Sequence, residues 1–127
     1  MAGELILIVE DNQRNLKLVR DVLQYQGYRT IEAGSAEEGL VLARSHQPAL
    51  ILMDIQLPGM DGITALRRLR ADPDTAGIPA VALTAFAMTD DRARFLEAGF
   101  DGYLVKPINI KEFPEKIRNF LGAAADD

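Results

Sequence analysis

Residues 49–54 read Ala49-Leu50-Ile51-Leu52-Met53-Asp54, so that five apolar residues run without a break into a single carboxylate. A short continuous apolar run that is soon followed by Pro and Gly is typical of a strand buried on both faces, as in a parallel sheet. Asp54 then lies where this strand leaves the core. Because a buried carboxylate is costly to desolvate unless its charge is used or neutralised, Asp54 is the first candidate functional residue.

Similar strand patterns occur on both sides of this stretch, and amphipathic helical patterns separate them. Strands are predicted at 5–9, 28–33, 49–54, 80–84 and 102–106. Helices are predicted after Asn12, after Ser35, after Asp61, after Asp90 or Asp91, and from Asn109 onwards. Strand and helix therefore alternate five times, which predicts an α/β fold with a parallel sheet covered by helices on both faces.

The sequence also predicts where two helices end, which face of a third is solvated, and where a proline lies in the last helix. Gly27 and Gly99 are the expected stops of the first and fourth helices. The three arginines of the third helix are expected to form a solvated face: Arg67, Arg68 and Arg70. Pro114 is expected just past the first turn of the last helix, where it would remove a hydrogen bond or cause a kink.

The composition of the chain limits the classes of protein to which it can belong. The chain has 127 residues, 48% of them hydrophobic, and a net charge of −5, which fits one domain and argues against nucleic acid as a direct partner. There are no cysteines, and the N-terminus resembles no cleavable leader. No apolar stretch approaches the roughly 20 residues that span a bilayer. We therefore expect a cytoplasmic protein that does not bind membranes, with a domain at 1–122, a short flexible tail at 123–127 and no output domain.

Polar side chains end four of the five predicted strands, at the edge where ligands bind in such sheets. They are Glu10 and Asp11, Asp54, Thr84 and Lys106. Clustered carboxylates repel one another unless a cation intervenes, and their oxygens suit Mg²⁺. A metal, a lysine, a hydroxyl and a carboxylate form a phosphoryl-transfer site in which an aspartate can act as the nucleophile.

Four motifs carry a resemblance to the receiver domain of two-component response regulators, over essentially the whole chain. They are Glu10-Asp11 after the first strand, the stretch Met53-Asp54-Ile55-Gln56-Leu57-Pro58-Gly59-Met60-Asp61-Gly62, the turn Leu83-Thr84-Ala85, and Lys106-Pro107 after the last strand. The resemblance implies a flavodoxin-like, doubly wound (βα)5 fold with strand order 2-1-3-4-5. Asn12, Asn15 and the segment 82–88 are also similar to stand-alone cell-division regulators of the DivK type and to receivers attached to hybrid histidine kinases.

Position by position, the resemblance implies that Asp54 accepts a phosphoryl group, with Thr84 and Lys106 contacting its oxygens. The donor is a histidine kinase, a histidine phosphotransfer protein or a small acyl phosphate. The implied site for Mg²⁺ or Mn²⁺ consists of Glu10, largely through water, Asp11, Asp54 and the backbone carbonyl of Gln56. The chain would catalyse its own phosphorylation and dephosphorylation without being a turnover enzyme.

The resemblance also implies a conformational switch. Thr84 and Tyr103 are the switch residues, and the Lys106–Pro107 peptide bond is expected to be cis. Phosphorylation would change the surface of the fourth helix, last strand and fifth helix, which a separate effector or kinase would recognise. Phe86 and Met88 either pack into the core or form part of a partner surface. The oligomeric state is expected to be a monomer or a weak dimer.

Three alternatives remain at this point. The chain could be a phosphate sink or a relay intermediate, which the sequence does not separate from an adaptor. It could be a phosphatase with an aspartyl nucleophile, although such enzymes carry a second aspartate where this chain has Gln56. It could also be a binding module that acts without phosphorylation, which the intact set Asp11, Asp54, Thr84 and Lys106 disfavours.

Overall fold

The computed structural model describes residues 3–57, 59–85, 89–106 and 108–125. Phe86, Met88 and Pro107 lie outside these ranges, so the predictions about them, including the cis peptide bond, stay predictions. Strands and helices alternate along the chain. Their bounds are β1 Leu5–Val9, α1 Gln13–Tyr25, β2 Arg29–Ala33, α2 Ala36–His46, β3 Leu50–Asp54, α3 Gly62–Ala71, β4 Ala80–Thr84, α4 Thr89–Ala98, β5 Gly102–Val105 and α5 Phe113–Ala125.

The five strands form one parallel sheet in the order β2-β1-β3-β4-β5. This confirms the predicted fold class and strand order. The strand that ends in Asp54 pairs with β1 on one side and with β4 on the other, with Asp54 opposite Leu83. All five of its residues are buried, which explains its unbroken apolar sequence.

Two apolar cores cover the two faces of the sheet, because alternate residues of a strand point to opposite faces. Leu7 and Val9 of β1 pack with the buried residues of α2, α3 and α4. Ile6 and Ile8 pack with those of α1 and α5. The sheet is therefore doubly wound. Its two faces are covered by helices, and the ends of its strands remain available for polar groups. Within the part of the chain that the structure describes, no helix has the length and apolar character needed to cross a bilayer.

The predicted helix caps at Asn12, Ser35 and Asp61 are confirmed. Each side chain accepts a hydrogen bond from a backbone N–H in the first turn of its helix. Gly27 and Gly99, which follow α1 and α4, have positive φ values of 93° and 114°, as expected for glycines that end helices.

The start of α4 differs slightly from the prediction. The helix begins at Thr89, so Asp90 and Asp91 lie in its first turn and neither is the residue before it.

The interpretation of Pro114 was wrong. The turn at 109–112 precedes α5, which begins at Phe113. Pro114 is therefore the second residue of the helix, where a backbone N–H has no partner within the helix and proline is tolerated. The helix runs to Ala125, into the stretch 123–127 for which the sequence predicts a tail.

The interpretation of Arg70 as a solvated residue was also wrong. Its guanidinium donates to four acceptors at the end of the sheet opposite to Asp54: the carbonyls of Ala76, Ile78 and Gly99 and the carboxylate of Asp101. Arg67 and Arg68 are exposed, as predicted.

Candidate functional site

The carboxyl ends of β1, β3, β4 and β5 deliver the predicted polar residues to one edge of the sheet. Glu10 and Asp11 follow β1, Asp54 ends β3, Thr84 ends β4 and Lys106 follows β5. The backbone N–H of Lys106 donates to the carbonyl of Thr84 at 2.7 Å, which extends the pairing of β4 and β5 to the lysine. The structure thus brings together the side chains that the sequence placed at separate strand ends.

Asp54 is buried, and the two oxygens of its carboxylate have different partners. Oδ2 lies 3.1 Å from Nζ of Lys106. Oδ1 accepts a hydrogen bond of 3.0 Å from the backbone N–H of Gln56. The Asp54 side chain is only 5% exposed, so these two donors replace most of the water that would otherwise stabilise its charge.

Lys106 also contacts Glu10. Its Nζ lies 3.2 Å from Oε1 and 3.1 Å from Oε2 of that carboxylate. The Glu10 side chain is fully buried and the lysine side chain is 17% exposed. One ammonium group therefore stands between two buried carboxylates from different strands.

Burial, together with a hydrogen bond to Asp54, raises the pKa of Glu10 from its ordinary 4.5 to about 7. The hydrogen bonds that Asn15 and Lys106 donate to Glu10 act in the opposite direction. The charged form of Glu10 is thus disfavoured by lost hydration and by the neighbouring carboxyl group. An added cation would relieve both effects.

Asp11 completes an acidic cluster. One oxygen each from Glu10, Asp11 and Asp54 lies within 4.8 Å of the others. Asp11 is exposed while the other two are buried, so the cluster is open to solvent on one side. Several carboxylate oxygens with room for water are the donor set that Mg²⁺ takes, and the residues present therefore fit a hard divalent cation.

Thr84 and Tyr103 occupy the neighbouring strands β4 and β5. Thr84 is buried at the end of β4. Tyr103 is partly buried and packs against the core on the α2, α3 and α4 face. Their switch roles stay predictions, as does the ligand role of the Gln56 carbonyl.

Two residues that support the site were missed at the sequence level. Asn15 donates from Nδ2 to Oε1 of Glu10 at 3.0 Å. Gly62 begins α3, and a Cβ at this position would lie 2.8 Å from the carbonyl oxygen of Asp54, so only glycine lets α3 start this close to β3. The five-residue spacing from Glu10 to Asn15, which includes the start of a helix, could have indicated the first contact. No local pattern indicates the second.

Comparison with known proteins identifies a matching family and similar sequences. The sequence model of the response regulator receiver domain matches residues 6–118. The chain is 46% identical over 119 residues to the polar-differentiation response regulator DivK of Brucella ovis, covering 94% of this chain and 97% of that protein. The protein of the same name from Brucella anthropi is 45% identical with the same coverage.

Solved structures share the same fold. A response regulator from Chloroflexus aurantiacus has a TM-score of 0.89 and 32% identity, covering 94% of this chain and 98% of that one. The receiver domain of a sensor histidine kinase from Pseudomonas aeruginosa has a TM-score of 0.87 and 36% identity, covering 95% and 99%. That structure is described with a magnesium ion coordinated in its active-site cleft.

Proposed function

The chain belongs to the response regulator receiver family, as its motifs predict, and from this membership we propose that it is a signalling receiver phosphorylated on Asp54. Receiver domains are generally not turnover enzymes, and they interact with histidine kinases and effectors. The observation that carries the proposal is the buried Asp54 carboxylate, 3.1 Å from the Lys106 ammonium and within an acidic cluster that fits a divalent cation.

In the proposed reaction, an oxygen of Asp54 attacks the phosphorus of a phosphohistidine or a small acyl phosphate. A new O–P bond forms while the bond from phosphorus to the donor nitrogen or oxygen breaks, and the leaving group keeps the electron pair. Glu10, Asp11, Asp54 and the Gln56 carbonyl would hold Mg²⁺ or Mn²⁺, which when bound neutralises charge on the phosphoryl oxygens. Lys106 exchanges its contact with the carboxylates for the phosphoryl oxygens.

The proposed response starts at Thr84. Its hydroxyl moves to the phosphoryl group, the segment between β4 and α4 follows, and Tyr103 turns inward. Phosphorylation shifts the population toward this state only as far as it binds that state better. The hydrogen bond between the Lys106 N–H and the Thr84 carbonyl supports a direct link between the phosphoryl site and β5.

The surface of α4, β5 and α5 is the proposed output face. A groove of about 660 Å³ lies along β5 and α5, and its lining includes Tyr103, Lys106 and Phe120. Leu96 of α4 and Val105 of β5 are large apolar residues that remain exposed. Val105 lines this groove, and exposed apolar surface in a groove favours a protein partner. We propose that this partner is a separate effector or kinase, and that the protein is cytoplasmic and a monomer or weak dimer.

The test is phosphorylation with acetyl phosphate and Mg²⁺, followed by intact-protein mass spectrometry. We expect the wild-type protein to gain the mass of one phosphoryl group and Asp54→Asn to gain none. Asp21→Asn, which changes an exposed aspartate of α1, is the matched control and should behave as wild type. A wild-type protein that gains no mass, and whose NMR shifts do not respond to beryllofluoride with Mg²⁺, would leave only the phosphorylation-independent binding module.

The same reaction separates the remaining alternatives. Release of many phosphates per protein from a small phosphate ester, lost in Asp54→Asn, would identify a phosphatase. Transfer from the phosphorylated protein to a histidine phosphotransfer protein, with no partner captured specifically by the phosphorylated form, would identify a relay intermediate or sink.

A further inference from the structure

Asn15 makes a contact with the acidic cluster that the proposed reaction does not use. Its Nδ2 donates to Oε1 of Glu10 at 3.0 Å. Glu10 is buried, so its carboxylate depends on protein groups for hydrogen bonds. Lys106 donates to both oxygens of Glu10, and Asn15 donates to Oε1.

The start of α1 fixes the position of Asn15. Its backbone N–H donates to Oδ1 of Asn12, the capping residue, at 3.1 Å. The next residue, Leu16, is buried in the core, and its N–H donates to the Asn12 carbonyl. The Asn15 amide is therefore carried on a capped and packed helical turn. Lys106, in contrast, contacts Glu10 from the end of a long and flexible four-carbon side chain.

The two donors also differ in charge. Lys106 is a cation, so it competes with a metal ion for the same carboxylates. If it moves to phosphoryl oxygens, as proposed above, it leaves Glu10. The Asn15 amide is neutral and can keep its hydrogen bond to Oε1 while a cation takes the place of the ammonium. Groups that hold a metal-binding carboxylate in one orientation contribute strongly to metal affinity.

We propose that Asn15 is a positioning residue, which holds the Glu10 carboxylate in orientation when Lys106 is exchanged for the divalent cation and thereby sets the affinity for Mg²⁺. This inference rests on the metal binding in the proposed function. It concerns the metal equilibrium before any phosphoryl transfer, so it is tested without a phosphoryl donor.

The experiment is a titration of the protein with Mg²⁺, monitored by calorimetry or by NMR shifts. We expect Asn15→Ala to raise the dissociation constant about tenfold, the loss that follows removal of a group supporting a metal ligand. Gln13→Ala is the matched control, because Gln13 is an exposed amide in the same turn of α1. It should leave the dissociation constant within about twofold of wild type, a difference below about 0.5 kcal/mol.

A double-mutant cycle distinguishes positioning from a general effect on α1. In the background Glu10→Ala, Asn15→Ala should have no further effect on Mg²⁺ affinity, because the group that Asn15 holds is gone. An equal loss in both backgrounds, or unchanged affinity of Asn15→Ala in the wild-type background, would overturn the inference while leaving phosphorylation of Asp54 intact. A wild-type protein that does not bind Mg²⁺ would overturn both.

Discussion

Asp61 shows how a single side chain is tuned by its place at a helix start. Its Oδ1 accepts a hydrogen bond of 2.8 Å from the backbone N–H of Thr64. This bond lowers the pKa of Asp61 below its ordinary 3.8, against a smaller opposing effect of burial. Because the pKa is lower in the folded state, the charged cap stabilises the protein above pH 3.8, and this contribution is lost as the pH falls through the folded pKa.

We expect Asp61→Ala to lower the free energy of unfolding by about 1 kcal/mol at neutral pH. The difference from wild type should shrink as the solution is acidified. Asp61→Asn is the control, since its amide oxygen still accepts the hydrogen bond but does not titrate. Urea unfolding at neutral and acidic pH measures both variants. Equal stability of Asp61→Ala and wild type at neutral pH would show that the cap contributes nothing.

Residues whose partners are close in sequence could be predicted well. The caps Asn12, Ser35 and Asp61 depend only on the next few residues, and the structure confirms all three. Arg70 could not be predicted in this way, because its acceptors lie between 6 and 31 residues away. The helical pattern places an arginine on a polar face, and it does not show that other loops meet that face.

At the scale of elements, Arg70 joins α3 to the starts of β4 and β5. One nitrogen donates to the carbonyls of Ala76 and Ile78, which precede β4. The other donates to the carbonyl of Gly99 and to Oδ2 of Asp101, which precede β5. Oδ2 of Asp101 also accepts from the first N–H of β4, at Ala80. A single guanidinium thus satisfies acceptors of two loops at once.

Removing this guanidinium should therefore lower the free energy of unfolding more than removing the side chain of an exposed arginine does. We expect Arg70→Ala to lower the free energy of unfolding by about 2 kcal/mol, because hydrogen bonds from a charged group are lost and their acceptors are left unpaired. Arg67→Ala, an exposed position on the same helix, should change it by less than about 0.5 kcal/mol. Chemical denaturation followed by circular dichroism compares the two. Equal losses would show that the Arg70 contacts are energetically unimportant.

The start of α5 shows where helix prediction fails at the element scale. Asn109 accepts hydrogen bonds at Oδ1 from the N–H groups of Lys111 and Glu112, as a helix cap would. The segment nevertheless forms a separate turn, and the helix begins only at Phe113. Capping chemistry identifies a chain reversal or helix start, and tertiary packing decides which of the two forms.

For the whole molecule, unbroken apolar runs identified the buried strands β1, β3 and β4, and an alternating pattern identified the partly exposed strand β2. Their order in the sheet followed only from the family resemblance, since pairing between distant strands leaves no local pattern. The edge with Glu10, Asp54, Thr84 and Lys106 could be predicted because parallel strands end on the same side. The sequence did not indicate that Lys106 would contact both Glu10 and Asp54, since this depends on side-chain conformations.

The raised pKa of Glu10 makes the stability of the whole domain depend on pH and metal. The folded state holds this proton more tightly than the unfolded state, so without metal the stabilisation from it is present below pH 4.5 and is lost as the pH rises through about 7. Mg²⁺ needs the charged carboxylate, so its binding should strengthen over the upper part of this range.

We expect Mg²⁺ to raise the midpoint of thermal unfolding, because it binds the folded state, and to do so at lower concentrations when the pH is above about 7 than when it is below. Differential scanning fluorimetry over a Mg²⁺ series measures this, with KCl at matched ionic strength as the control. Equal effects of the two salts would show that the acidic cluster holds no divalent cation.

The ion pair of Lys106 with Glu10 joins residues 96 positions apart, and this separation matters during synthesis on the ribosome. A nascent chain emerges from its N-terminus, so β1, β3 and β4 leave the exit tunnel before the lysine does. Until β5 follows, Glu10 and Asp54 lack the ammonium that stands between them in the finished protein. The acidic cluster therefore acquires its lysine only late in synthesis, after the strands that carry Glu10 and Asp54.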